Sequence, residues 1–284
     1  VSIERVGVVG AGQMGSGIAE VSVKAGADVL VFDTEERFTT AGRERITKSL
    51  DRAVDKGKLS AEDRDAALGR LRFTTSLSDL ADRQLVIEAV IEDEAVKAKI
   101  FAELDEIVTD PDAVLASNTS SIPIMKIAAA TKNPGRVLGL HFFNPVPVLP
   151  LVELVSTLVT TGDALARTEQ FAGDVLGKQV VRCADRSGFV VNFLLVPYLL
   201  SAIRMIEAQV ATIEDVDKAV VAGLSHPMGP LRLSDLIGLD TLKLIADKMF
   251  DEFKEPHYAS PSLLLRMVEA GQLGKKSGQG FYSY

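Results

Sequence analysis

The segment Gly10-Ala11-Gly12-Gln13-Met14-Gly15 constrains the fold most, because of what stands on either side of it. Val6-Gly7-Val8-Val9 before it is a short apolar run bounded by glycine, the pattern of a buried parallel strand. After it, apolar residues recur at helical spacing from Met14 to Ala25, and Gly26 supplies a stop. Val29 to Phe32 then reads as a second buried strand, closed by Asp33. A glycine hexapeptide alone is a weak signal. Within a strand–turn–helix–strand–acid unit it describes a dinucleotide site, with the pyrophosphate at the positive end of the helix. Gly10, Gly12, Gln13, Met14 and Gly15 are therefore candidate cofactor contacts. Asp33 is the candidate ribose acid; its carboxylate accepts from both hydroxyls and repels a 2′-phosphate, which favours NAD over NADP. Arg37 lies close by and could soften that preference.

Further strands are expected at Leu85 to Val90, Ala113 to Ala116, Val137 to Leu140 and Val152 to Val155. Helices are expected at Glu35 to Lys56, Ala61 to Leu68 and Ala95 to Val108. The alternation implies an α/β fold, a Rossmann-type doubly wound sheet. The pattern changes near Asp185-Arg186-Ser187-Gly188. Beyond it only helical periodicity remains, at Phe189 to Ala208, Ile213 to Ala222, Leu239 to Phe253 and Ser262 to Ala270. The expected division is a cofactor-binding sheet domain, 1–185, followed by an all-helical C-terminal domain, 186–284.

A net charge of −8 argues against a nucleic-acid coat, which needs an excess of Lys and Arg. No apolar run is long enough to cross a bilayer, so no membrane partner is expected. Cys183 is the single cysteine, which excludes an internal disulfide, and no Cys/His cluster suggests a metal. The start of the chain runs straight into a strand pattern without a leader-like segment, so a cytoplasmic location is the expectation.

Two polar segments directly follow buried strands: Ser117-Asn118-Thr119-Ser120-Ser121 and His141-Phe142-Phe143-Asn144-Pro145. In an open α/β sheet ligands bind beyond the carboxyl ends of the strands, where both segments fall. Glu153 stands in the apolar run Leu151 to Val155; a buried acid there needs a partner, and His141 is the natural one. A histidine suits proton transfer near neutral pH, and a carboxylate on its other nitrogen fixes the tautomer. His226 lies in a turn-rich stretch and reads as structural; His257 reads as exposed.

The residues Gly10 to Gly15, Val86 to Val90, Ser117 to Ser121, Gly139 to Pro147, Gly188 to Tyr198 and Gly274 to Tyr282 closely resemble the 3-hydroxyacyl-CoA dehydrogenase family over the whole chain. The length resembles the stand-alone short-chain form, without a hydratase domain. The resemblance implies NAD-dependent interconversion of an (S)-3-hydroxyacyl-CoA thioester, 3-hydroxybutyryl-CoA being expected, with the 3-ketoacyl-CoA. It implies that His141 is the acid/base and Glu153 its partner, that Ser120 bonds the substrate oxygen, and that Asn192 meets the substrate from the helical domain. Asn144 would place the nicotinamide; Glu92, Lys97 and Lys276 match cofactor-contacting positions; Ser49 and Lys56 match CoA-contacting ones. For these last five residues a plain solvated surface position is the competing reading. A homodimer through the C-terminal domain is also implied. Two rivals remain: another two-domain NAD-dependent 3-hydroxyacid dehydrogenase, which would use a helical-domain lysine where Asn192 stands, and a non-catalytic relative.

Overall fold

The computed structural model describes residues 2–284, which fall into two compact units, one running up to Arg186 and the other Ser187–Tyr284. The first begins β1 (Arg5–Val9), α1 (Gln13–Lys24), β2 (Asp28–Phe32), α2 (Glu36–Asp55), α3 (Ala61–Gly69) and β3 (Leu71–Thr74). It continues β4 (Leu85–Glu88), α4 (Glu94–Ile107), β5 (Val114–Ser117), α5 (Ile124–Ala128) and β6 (Val137–Phe142). It closes with β7 (Leu151–Ser156), α6 (Gly162–Gln170) and β8 (Gln179–Ala184).

The strands form one sheet in the order β3-β2-β1-β4-β5-β6-β7-β8. The first six in that order are parallel; β7 runs antiparallel to β6, and β8 parallel to β7. The inner strands are apolar because helices cover both faces. Val6, Val8, Val29, Val31, Leu85 and Ile87 are all buried in one core with Ile18 of α1 and Ile46 of α2. The chain crosses from β3 back to β4, beside β1, so the strand order reverses between β1 and β4. That reversal opens a crevice at the carboxyl ends of these two strands. The segments after β1, β4, β5 and β6 leave the same edge of the sheet.

Two strands have no apolar run to announce them. β8 lies at one edge and is largely exposed, and β3 at the other edge is only half-buried beyond Leu71. An edge strand is covered on fewer sides, so its sequence carries less of the hydrophobic pattern. The expected strand Leu85 to Val90 ends at Glu88, because the backbone turns to carry Val90 N–H onto the Glu88 carboxylate.

The second unit holds α7 (Val191–Glu207), α8 (Ile213–Leu224), α9 (Pro230–Ile237), α10 (Leu239–Phe253) and α11 (Ser262–Glu269), and no strand of its own among the described residues. Leu199, Leu200, Ile203, Leu242, Met249 and Leu264 share its core. The helix α9 starts at Pro230, where a missing N–H costs nothing, within the stretch that reads as turn-rich in sequence. The C-terminal segment is pinned by Asp235, which accepts from Phe281 N–H and Tyr282 N–H at 2.9 Å each.

Candidate active site

The turn after β1 depends on glycine at two points. Gly10 has φ +105°, a conformation a side chain rarely adopts. A Cβ on Gly15 would lie 1.8 Å from the Gly10 carbonyl oxygen, so α1 reaches this close to the strand only with glycine there. Gly12 is different: a Cβ there would meet no protein atom within 4 Å. Its lack of a side chain serves nothing inside the chain and suits close approach of a ligand. α1 has no side-chain cap at Gly12 and no acid in its first turn, whereas Ser60, Asp93, Thr161 and Thr212 cap α3, α4, α6 and α8. The exposed N–H groups and helix dipole thus face outward for an anion.

A groove of about 750 Å³ runs from Gly10 and Gly12 past Asp33, between Phe38, Ile91 and Ile100. Largely apolar walls with Asp33 at the rim fit an adenosine; Lys99 and Glu103 also line the groove. Asp33 also holds the turn, since its Oδ2 accepts from Ala11 N–H at 2.8 Å and its Oδ1 from Thr34 N–H at 2.7 Å. Arg45 of α2 completes the loop from behind, donating to the Ala11 carbonyl at 2.9 Å and to Ser16 Oγ at 3.0 Å. Arg45 is absent from the sequence reading, because an arginine on a polar helix looks like any solvated residue.

His141 and Glu153 are direct cross-strand partners on β6 and β7. Nδ1 lies 2.7 Å from Glu153 Oε2, and both side chains are buried, Glu153 completely. A carboxylate accepts only, so Nδ1–H donates to it, and proton exchange with anything else falls to Nε2. The Phe143 ring packs beside the imidazole, 4.5 Å between centroids.

The loop after β5 is fastened to its neighbours. Asn118 Oδ1 accepts from Phe142 N–H at 2.8 Å, which ties it to the end of the histidine strand. Glu92 Oε1 accepts from Ser120 N–H (3.0 Å), Ser121 N–H (3.1 Å), Ser121 Oγ (3.0 Å) and the Thr119 hydroxyl. Burial alone would raise the Glu92 carboxyl, but Lys97 and these hydrogen bonds outweigh it and hold it below the usual carboxylate range. Gln13 Nε2 donates to Asn144 Oδ1 at 3.0 Å, joining the glycine turn to the histidine loop. Ser120, Asn144, Gln13 and His141 thus belong to one connected edge of the sheet unit.

Other candidates lie in different settings. Lys97 is almost fully buried, its ammonium 2.6 Å from Glu88 and 3.4 Å from Glu92, so it is no solvated surface lysine. Ser49 is half-buried on α2 and hydrogen-bonds Glu20 of α1, whose carboxyl burial pushes up. Lys56 is exposed just after α2. In the helical unit Asn192 is buried in the first turn of α7, and Lys276 donates to Asp240 at 2.6 Å. His226 meets the Tyr198 hydroxyl at 3.3 Å, and the exposed His257 pairs with Glu255 at 3.3 Å. Burial, with Glu153 and Asp185 nearby, pushes the Cys183 thiol up to about 12, which removes it as a nucleophile.

Two family models match the chain. The 3-hydroxyacyl-CoA dehydrogenase NAD binding domain matches residues 5–186, and the 3-hydroxyacyl-CoA dehydrogenase C-terminal domain matches 188–284. The chain is 80% identical over 283 residues to a 3-hydroxybutyryl-CoA dehydrogenase of Mycobacterium tuberculosis strain H37Rv, covering 100% of this chain and 99% of the relative. The crystal structure of M. tuberculosis FadB2 superposes with a TM-score of 0.98 at 79% identity, covering 100% of both chains. That of (S)-3-hydroxybutyryl-CoA dehydrogenase from Ralstonia eutropha superposes with a TM-score of 0.96 at 41% identity, covering 100% of this chain and 99% of that one.

Proposed function

The chain belongs to the 3-hydroxyacyl-CoA dehydrogenase family, and from that membership we propose that it oxidises (S)-3-hydroxybutyryl-CoA to the 3-ketoacyl thioester, and reverses the reaction, using NAD. It is an NAD-dependent oxidoreductase of 3-hydroxyacyl-CoA thioesters; the short acyl chain is the proposed part, supported by the activity for which its relatives are named. The single observation that carries the chemistry is the buried His141–Glu153 pair.

Bound NAD supplies the hydride acceptor. The chain's own residues do the rest. The Gly10–Gly15 turn and the first turn of α1 hold the pyrophosphate, and Asp33 takes the ribose hydroxyls. Gln13 and Asn144 keep the nicotinamide end in register with the histidine loop. Ser120 donates to the substrate oxygen at C3, and His141 Nε2 takes the hydroxyl proton as the C3–H bond gives up its hydride and the carbonyl forms. Glu153 stabilises the imidazolium that results. In reduction the same imidazolium returns its proton to the oxygen. Asn192 contacts the thioester, Glu92, Lys97 and Lys276 support the cofactor, and Ser49 and Lys56 contact CoA. These assignments rest on the match of each position to the family.

We also propose a homodimer formed through the helical unit, supported by the exposed Leu194, Val210 and Leu224. A cytoplasmic location is part of the same proposal. No helix among the described residues is long and apolar enough to cross a membrane. NADH formation with (S)-3-hydroxyacyl-CoA thioesters from C4 to C16 tests the reading. A maximum at C4 is expected, and absence of NADH with every thioester would defeat it.

A further inference from the structure

At the foot of the Ser120 loop lies a buried polar cluster in which two members, Glu88 and Ser117, have no part in the proposed chemistry. Glu88, the last residue of β4, is completely buried and is the register partner of Ser117, the last residue of β5. Its Oε2 accepts from Ser117 Oγ at 2.7 Å. Its Oε1 accepts from Lys97 Nζ at 2.6 Å and from Val90 N–H at 2.7 Å. Lys97 reaches on to Glu92 Oε2 at 3.4 Å, and Glu92 holds Thr119, Ser120 and Ser121. Ser117 Oγ in turn accepts from Thr119 N–H at 3.3 Å. Two carboxylates thus share one ammonium, and apart from the Val90 bond the links lead to the five-residue segment that carries Ser120.

We infer that Glu88 is a positioning residue for Ser120, acting through Ser117 on one side and through Lys97 and Glu92 on the other. An interior of this kind is costly. Two carboxylates and an ammonium leave water, and apolar residues of like volume would stabilise a sheet end as well or better. The cluster gives the loop what apolar packing does not, directional bonds that fix Ser120 N–H and its neighbours. It also fixes the turn Val90 to Glu92 against the same strand end, so the wall of the cofactor groove and the substrate loop share one anchor. The charged groups facing Glu92 are Lys97 from α4 and, beyond it on β4, Glu88; the segment 119–121 adds hydroxyls and amides without charge.

The inference rests on the reading that Ser120 meets the substrate oxygen, and two variants test it with (S)-3-hydroxybutyryl-CoA and NAD. Lys97→Met removes the cation that helps hold Glu92 low, so the Glu92 carboxyl titrates higher. As pH falls through that raised value the carboxylate is lost as an acceptor, and kcat acquires a new acidic limb absent from the wild type. Ser117→Ala deletes one hydroxyl and is the milder change; kcat is expected to fall about tenfold. Binding of ADP-ribose, which lacks the nicotinamide, should stay at the wild-type level in Ser117→Ala, because the Gly10–Gly15 turn and the Val90 to Glu92 wall are untouched. A pH-independent change in Lys97→Met, or an unchanged kcat in Ser117→Ala, would overturn the inference. So would a loss of ADP-ribose binding by Ser117→Ala in step with its loss of kcat. Wild-type protein that forms no NADH with any 3-hydroxyacyl-CoA overturns the functional reading itself, and the inference with it.

Discussion

Gln13 and Asn144, 131 positions apart in sequence, meet through a 3.0 Å hydrogen bond from Nε2 to Oδ1. The bond joins the first residue of α1 to the loop that follows His141, so the glycine turn and the histidine strand are held in one geometry. Both residues are exposed, and a neutral bond of this kind contributes about 1 kcal/mol. Gln13→Ala is therefore expected to lower kcat/KM by up to about tenfold while lowering the melting temperature by no more than about 2–4 °C. Steady-state kinetics beside a thermal melt checks both halves of the statement.

Gly12 and Gly15 separate two uses of glycine. In Gly15→Ala the new Cβ collides with the Gly10 carbonyl, so α1 must shift and both stability and NAD affinity should fall. In Gly12→Ala the Cβ meets no protein atom. Its melting temperature should match the wild type while its NAD affinity drops, because the methyl occupies the approach of the pyrophosphate. Calorimetric titration of the Gly12 variant decides the point; unchanged affinity would mean the pyrophosphate lies elsewhere.

Asp33 closes β2 at the rim of the groove. Its negative charge opposes a 2′-phosphate at close range, by roughly 1–4 kcal/mol in a partly solvated site. The expected result is kcat/KM for NAD at least about tenfold above that for NADP. Equal use of both would show that a cation such as Arg37, exposed and paired with Glu35, has turned to the phosphate.

Away from the site, Arg136 and Asp105 form a buried pair, 2.7 Å between Nη2 and Oδ1. Burial would raise the Asp105 carboxyl, yet Arg136 and the Lys132 N–H hold it below the usual range. Its folded value lies under its unfolded one, so its contribution is present above the ordinary carboxylate range and is lost as pH falls below it. Arg136→Ala strands the acid and should cost about 3–5 kcal/mol. Urea unfolding at neutral pH measures this, and a loss too small to detect would contradict it.

The parts of the fold that show in sequence are those buried on both faces. β1, β2, β4, β5 and β6 announce themselves as apolar runs because helices cover them, and α1 through the glycine turn before it. β3 and β8 do not, since edge strands need no such run. At the site, His141 and Glu153 are legible as a pair because an acid inside an apolar run demands a partner. Glu88 also stands inside an expected strand, Leu85 to Val90, but no histidine at a strand end offers itself as its partner; Ser117 and Lys97 close around it only in the fold. Arg45 escapes because its task, bonding a carbonyl of a distant turn, leaves no trace in local spacing.

The central claim is that His141 exchanges the substrate proton while Glu153 holds and charges its ring. The most direct measurement is kcat for His141→Gln with (S)-3-hydroxybutyryl-CoA, taken with NAD affinity and the melting temperature of the same protein. Loss of a positioned acid/base is expected to lower kcat by about 10²–10⁴-fold. NAD affinity should be retained, since the Gly10–Gly15 turn and Asp33 are unaltered. A folded His141→Gln protein with near wild-type kcat would contradict the account, and the base would then have to be another group.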